Sequence, residues 1–213
     1  MKTEALIDLL AEQTPLVRRN AAATRILIAA LAGCAAALVM IVAVLGLRSD
    51  WPMAAMEPVF WIKLFYTGGV AVIALVSAAM LARPEAGPPR GLWAMLLPFG
   101  AIAALALAEL AATPRDQWMP MLMGHSGRVC SPHILLFALP VFAALVLAFR
   151  TLAPTRLRWT GATLGLAAGG LAGMLYCLHC QESAMSFITV WYSAGMLLPA
   201  AIGAILGPIV LRW

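Results

Sequence analysis

Long apolar runs, separated by short polar connections, make up most of this chain. Six of them have the length and composition of membrane-spanning helices: residues 26–47, 59–82, 92–112, 134–149, 159–176 and 188–211. A helix of about 20 residues crosses the hydrocarbon core of a bilayer, which is about 30 Å thick. The pattern therefore predicts an all-α membrane protein: a six-transmembrane-helix bundle preceded by a short cytoplasmic amphipathic helix.

The amino-terminal residues have a different pattern. In a helix, apolar side chains line one face and acidic side chains line the other: Leu6, Ile7, Leu9 and Leu10, against Glu4, Asp8 and Glu12. Such a short helix is marginal in water, and anionic lipid would repel its acidic face. We expect it to bind a groove of a cytoplasmic protein; folding back onto the chain's own cytoplasmic loops is the alternative. Residues 1–24 are thus the predicted partner-binding segment, and residues 25–213 the predicted transmembrane sensor domain.

Composition supports the membrane assignment. Hydrophobic residues make up 63% of the chain and charged residues 11%, whereas about a quarter of the residues in soluble domains are charged. The net charge is +5. Because the basic residues lie in short connections and not along one polar face, we expect no direct contact with nucleic acid.

The basic residues also predict the orientation. Ten of them lie at the two termini and in the connections around residues 83–91 and 150–158, whereas three, Arg48, Arg115 and Arg128, lie at the opposite end. By the positive-inside rule, both termini face the cytoplasm. Two charges fall within spans, Lys63 and Glu109, near the outward ends. They are expected either to reach towards the interface or to pair with each other.

Glycine recurs at every fourth position of the fifth span, at Gly161, Gly165, Gly169 and Gly173. Gly203 and Gly207 repeat the spacing in the sixth span. A helix face with almost no side chains lets another helix approach closely. We therefore expect these faces to be sites of close helix packing.

The predicted topology places three of the four cysteines outside the cytoplasm, where disulfides persist. Cys130 falls in the longest outward loop, residues 113–133, and Cys177 and Cys180 follow the fifth span. Cys34, within the first span, is expected to be a small buried residue. Three tryptophans near the outward ends are expected to form an interfacial belt: Trp51, Trp118 and Trp191.

Three interpretations of the outward thiols remain open. Cys130 and Cys180 can form a structural disulfide, or they can be a redox-responsive pair. They can also bind a soft transition metal together with His179 and Cys177, with His125, His133 or Glu182 as further ligands. A single C-x-x-C is insufficient for a zinc signature, and Gln181 stands where covalent haem attachment requires histidine.

Several motifs together resemble those of the NrsF family. They are the opening MKTEALIDLLAEQTPLVRR, WIKLFYT at 61–67, HC-x-E at 179–182, WYSAG at 191–195 and the final GPIVLRW. The resemblance covers essentially the whole chain. It implies a six-span bacterial inner-membrane anti-sigma factor that binds a sigma factor of the extracytoplasmic-function (ECF) class.

The resemblance also assigns roles to residues. The opening helix, with Leu6, Ile7, Leu9 and Leu10, would hold the sigma factor until a stress signal reaches the membrane domain. Cys130 and Cys180 match the signal-responsive cysteines of the family, and Cys177 lies outside that pattern. The chain is then not an enzyme and needs no cofactor. A membrane thiol-disulfide oxidoreductase coupled to quinone is the leading alternative, although it would normally need a second pair of cysteines, and a small transporter is the third.

Overall fold

The structure is a computed structural model that describes residues 20–83, 90–152 and 154–212, without the side chains of Arg90 and Leu92. The predicted amino-terminal helix, with its partner-binding residues Leu6, Ile7, Leu9, Leu10, Glu4 and Asp8, lies outside the described residues.

All regular elements of the described chain are helical. There are seven α-helices: α1 (Ala21–Val44), α2 (Pro58–Leu81), α3 (Leu96–Ala111), α4 (Trp118–Met123), α5 (Gly127–Arg150), α6 (Leu157–Tyr176) and α7 (Met185–Val210). Short 3₁₀ turns at Met53–Met56, Arg90–Met95 and Arg115–Gln117 lie in the connections. One turn of α7, Ile188–Tyr192, is π-helical. Each of the six predicted spans thus corresponds to a long helix.

Five stretches are long and apolar enough to cross a membrane: Ala21–Val44, Pro58–Leu81, Trp93–Ala111, Arg115–Arg150 and Met185–Val210. Large apolar side chains on their outer faces are exposed, among them Leu31 on α1, Phe65 on α2 and Leu107 on α3. A continuous apolar exterior of this kind is typical of helices that contact lipid. The protein surface is therefore compatible with a bilayer.

Helix α6 is less apolar, and its position explains why. It packs against α2, α5 and α7, and most of its residues are buried. Its sequence contains five glycines as well as Thr160 and Thr163. A helix surrounded by other helices needs close packing more than apolar side chains, and small residues provide it.

The predicted close packing at the glycines is confirmed. A Cβ atom added to Gly161 would overlap the backbone of Gly203 and lie 2.8 Å from the Cα of Gly207. One added to Gly165 would overlap the carbonyl of Pro199. Helices α6 and α7 therefore meet backbone to backbone.

The connections assigned to the outward side come together at one end of the bundle. The backbone N–H of Arg48, after α1, donates to Leu178 O after α6 (3.1 Å). Glu182, in the same connection, accepts hydrogen bonds from the residues before α5. At the other end, Arg25 lies 3.5 Å from the hydroxyl of Thr151. The pairing of connections by end agrees with the predicted topology.

One predicted connection is wrong. Residues 113–133 are not one long loop, because they contain α4 and the first turns of α5. Helix α5 begins at Gly127 and not at Ile134, so Cys130 and His133 are helical. Its first turns combine the exposed Arg128 with the buried Ser131, and these polar residues keep the hydropathy below that of a span.

The α6–α7 contact generates a stability prediction. Gly165→Ala should lower the free energy of unfolding by about 1–3 kcal/mol, because the added methyl group has no space against Pro199 and Ala200. The matched control is Gly100→Ala in α3, where a Cβ would meet no atom within 4 Å. Thermal unfolding in detergent measures both, and equal midpoints would contradict the close contact.

Candidate thiol site

Three of the sequence motifs meet at the outward end of the bundle. Lys63, in the WIKLFYT segment of α2, donates from Nζ to the backbone oxygen of Cys180 in HC-x-E (3.1 Å). Its Nζ also lies 6.0 Å from the ring centroid of Tyr192, in the WYSAG segment of α7. Tyr66 and Ser193 join the same two segments through a 2.6 Å hydrogen bond between their hydroxyl groups. Segments far apart in sequence therefore form one site.

The three cysteines assigned to the outward side are buried, which corrects the expectation of exposed loop thiols. Cys130 and Cys177 have no exposed surface, and Cys180 is 4% exposed. Cys130 is covered because it lies in the first turns of α5, and Cys180 because the connection from residue 177 to 184 folds over the bundle. Cys34 lies in α1 and is only partly buried, unlike the expectation for it.

All four cysteines lie within the described residues and are free thiols. Cys130 lies close enough to Cys180 to act on the ionisation of its thiol. The hydrogen bond from Cys130 lowers the pKa of Cys180, with help from the charge on Lys63 and against the effect of burial. Cys180 is therefore the more nucleophilic of the two sulfurs.

Cys177 has a different environment. Its thiol donates to the carbonyl of Gly173 (3.2 Å), one turn back in α6. Burial raises the pKa of Cys177, although Lys63 acts in the opposite direction. A thiol held in this way at a helix end is unreactive.

Glu182 connects the thiol-bearing connection to the start of α5. Its Oε1 accepts hydrogen bonds from the backbone N–H groups of His125 (2.7 Å) and Ser126 (2.9 Å) and from the Ser126 hydroxyl (3.1 Å). These groups lie at the amino terminus of α5, where the helix dipole favours a negative charge. Gly124 has a positive φ of 49°, and a Cβ there would come 2.8 Å from the Glu182 carboxyl carbon. Only glycine fits both the backbone and the space.

A cavity of about 730 Å³ opens beside the site. Its lining includes Arg48, His125, His179, Cys180 and Glu182. Arg48 forms a bidentate ion pair with Asp50 and holds the pKa of that carboxyl group below its usual value. Of the four cysteines, Cys180 is the one whose residue belongs to this lining.

The predicted metal ligands do not come together. Among residues 20–83, 90–152 and 154–212, no three His, Cys, Asp or Glu side chains are placed to hold a metal ion. His179 has its Nδ1 3.1 Å from the carbonyl oxygen of Gly46. The carboxylate of Glu182 is engaged by His125 and Ser126. The set Cys130, Cys180 and His179 is therefore not assembled in this structure.

Both expectations for Lys63 are wrong. It is 2% exposed, so it does not reach the interface, and it does not pair with Glu109. Oε2 of Glu109 instead accepts a hydrogen bond from the backbone N–H of Ser186 at the start of α7 (3.0 Å). The predicted belt residues Trp118 and Trp191 donate their indole N–H groups to carbonyls of neighbouring segments. No pattern in the sequence predicts the burial of Lys63, although Lys63 is the one charge within its span.

Comparison with known proteins agrees with the family resemblance of the sequence motifs. The family described as "NrsF: Negative regulator of sigma F" matches residues 10–213. A protein of Azospira oryzae named "Probable anti-sigma-F factor NrsF" is 38% identical over 216 residues, and one of Caulobacter vibrioides named "Anti-sigma-F factor NrsF" is 36% identical over 214 residues. Both alignments cover 100% of each chain. No solved structure matches.

The hydrogen bonds of Glu182 generate a prediction. Glu182→Ala should lower the free energy of unfolding by about 1–3 kcal/mol, because two backbone N–H groups lose their acceptor. Gln181→Ala, at an exposed neighbouring position, should change it by less than about 0.5 kcal/mol. Thermal unfolding of the full chain in detergent compares the two. If Glu182→Ala unfolds at the same temperature as the control, Glu182 does not hold the connection.

Proposed function

Because the chain belongs to the NrsF family of negative regulators of sigma F, we propose that it holds an ECF sigma factor at the bacterial inner membrane and releases it when Cys130 and Cys180 are oxidised. Membership makes the protein an anti-sigma factor and not an enzyme. The interpretation as a quinone-coupled thiol oxidoreductase is therefore wrong. The names of the relatives specify sigma F, and the ECF class of the partner is part of the proposal.

The proposed arrangement has six spans with both termini in the cytoplasm. Five apolar stretches and an exposed apolar exterior support a membrane location, and α6 would cross as the central helix. The grouping of the connections at two ends of the bundle is consistent with alternating orientation. The excess of basic residues at the end opposite the thiol site supports a cytoplasmic location for that end.

The sigma factor would bind residues 1–24. The apolar face formed by Leu6, Ile7, Leu9 and Leu10 and the acidic face with Glu4 and Asp8 suit a helix that folds into a groove. Residues 25–213 would then be the sensor domain. Binding by a short terminal helix allows release without unfolding of the membrane domain.

One observation carries the sensor proposal: two free thiols lie close together, and the residue that carries one of them lines a cavity. Cys180 is that residue, whereas Cys130 is fully buried. An oxidant that enters would react with Cys180 first, and Cys130 would then form a disulfide with it. A structural disulfide between the same two cysteines is the competing interpretation, and it would contribute stability without sensing. A soft metal ion remains the alternative signal, and it would need the connection to rearrange.

Release also requires that the two states of the domain differ in affinity for the sigma factor. The connection that carries Cys180 contacts α2 through Lys63 and α5 through Glu182. It is also covalently continuous with α6 and α7. A change in the distance between Cys130 and Cys180 would therefore act on four helices at once. Nearly complete switching needs a difference of about 5 kcal/mol.

The binding segment gives the first functional prediction. Leu10→Asp should weaken binding of the cognate sigma factor at least about tenfold, or about 1.4 kcal/mol, because it places a charge in the apolar contact. Ala11→Asp adds the same charge towards the acidic face and should have a much smaller effect. Co-purification with the intact protein, compared with a chain lacking residues 1–20, measures the same contact. If the truncated chain retains the partner, the segment is not the binding site.

The thiols give the second functional prediction. Cys130→Ser and Cys180→Ser should each abolish peroxide-induced release while leaving binding in reducing buffer intact. Cys34→Ser should release normally. A reporter of sigma-dependent transcription and a disulfide-dependent gel shift give the two readouts. Unchanged induction in both variants would remove these cysteines from the mechanism, and release by Zn²⁺ without a disulfide would favour the metal alternative.

A further inference from the structure

Lys63 has an unusual environment for a charged side chain. It is 2% exposed and lies within an apolar helix of membrane-spanning length. The one ion pair among the described residues joins Arg48 to Asp50, and Lys63 therefore has no carboxylate partner there. Its hydrogen bond goes to the carbonyl of Cys180. A buried ammonium group without a compensating charge is costly, so an uncompensated lysine at this depth indicates a function.

The ammonium group lies beside Cys180 and Tyr192. The Nζ atom of Lys63 lies 3.1 Å from the carbonyl oxygen of Cys180, its charge favours the thiolate of that residue, and the buried ring of Tyr192 lies 6.0 Å away. Of these groups, a cysteine sulfur is the one that can carry a negative charge beside the lysine near neutral pH. Cys180 is held by Lys63 through its own carbonyl. The position of the chain and the charge next to its sulfur are thus set by one side chain.

We propose that Lys63 is the positioning residue and counter-ion of the Cys130–Cys180 pair, and that disulfide formation drives a change in α2 packing by leaving this ammonium group without a partner. This inference rests on the redox function proposed above. It adds the step between the chemistry at sulfur and the movement of a helix. In the reduced state, Lys63 fixes the connection to α2; in the oxidised state, its charge destabilises the same contact.

The chemistry balances with a peroxide as oxidant. The Cys180 thiolate attacks one peroxide oxygen, an S–O bond forms, the O–O bond breaks, and hydroxide leaves. The Cys130 thiol then attacks the oxidised sulfur, an S–S bond forms, the S–O bond breaks, and water leaves. Two sulfurs lose two electrons, peroxide is reduced, and the negative charge leaves the site on hydroxide. The positive charge of Lys63 remains.

Lys63 lies next to a close backbone contact between α2 and α6. The hydroxyl of Thr67, one turn from Lys63, donates to the Lys63 carbonyl (2.8 Å). A Cβ at Gly170 of α6 would lie 2.9 Å from both the carbonyl oxygen of Thr67 and the amide nitrogen of Ala71. A displacement of Lys63 towards solvent would therefore disturb a backbone contact with little free space.

Three substitutions of Lys63 separate the effect of its charge from the effect of its hydrogen bond to Cys180. Lys63→Arg keeps the charge, Lys63→Gln keeps an N–H donor for the Cys180 carbonyl without the charge, and Lys63→Met has neither. Glu109→Gln is the matched control, because Glu109 is the other charged residue within a predicted span and binds Ser186 instead. The full chain, reconstituted in vesicles with bound sigma factor, is treated with hydrogen peroxide. Disulfide formation is followed by mass-tagging of free thiols, and release by loss of the sigma factor from the vesicles.

The wild type and Glu109→Gln should form the disulfide and release the sigma factor. Lys63→Gln and Lys63→Met should oxidise at least about tenfold more slowly, as expected for loss of a charge that favours the thiolate. After complete oxidation, both should still retain the sigma factor, whereas Lys63→Arg should release it. Retention of bound sigma factor in reducing buffer verifies that each variant is folded.

The outcomes distinguish the two proposals. If fully oxidised Lys63→Gln releases the sigma factor like the wild type, the charge of Lys63 does not couple oxidation to release, and the inference is overturned while the sensor proposal stands. If the wild type forms no Cys130–Cys180 disulfide, or forms it without release, the redox function itself fails. If Lys63→Met loses sigma binding in reducing buffer, the result with Lys63→Gln alone tests the inference. If Lys63→Gln also loses sigma binding in reducing buffer, Lys63 is a structural residue and the inference is wrong.

Discussion

The close approach of α6 and α7 is the constraint on which the remaining structure depends. Their backbones touch at Gly161 and Gly203 with no side chain between them. Such a contact has almost no tolerance for rotation, because neither helix can move without a backbone clash or a void. It makes α6 the central helix, against which α2 and α5 pack. It also fixes where the connection between α6 and α7 lies, and this connection carries Cys180.

Three charged side chains at the outward end are satisfied by backbone atoms of distant segments, whereas Arg48 pairs with the side chain of Asp50. Lys63 binds the carbonyl of Cys180, Glu182 binds N–H groups before α5, and Glu109 binds the N–H of Ser186. Bonds of this kind link helices, whereas an ion pair would link only two side chains. The thiol pair thus sits in a rigid setting, yet its surroundings depend on a charge that has no carboxylate partner among the described residues.

Much of the fold could be predicted from sequence, because lipid-facing helices must be apolar and because a regular glycine spacing indicates a close helix contact. The start of α5 could not be predicted in this way, because the turns from Gly127 to His133 mix exposed residues such as Arg128 with buried ones such as Ser131 and have no continuous apolar run. The burial of Cys130 and Cys180 could not be predicted either. It depends on where α5 begins and on how the connection from residue 177 to 184 folds over the bundle, where the Cys180 carbonyl meets Lys63, 117 positions away, and no local pattern encodes such contacts.

The π-helical turn at Ile188–Tyr192 has a consequence for α7 as a whole. A π turn accommodates one residue more than an α turn, and each residue advances a helix by about 100°. Straightening this turn would therefore rotate the remaining helix by about that angle and carry Gly203 away from Gly161. The contact between Gly161 and Gly203 therefore favours the π turn, which includes Tyr192.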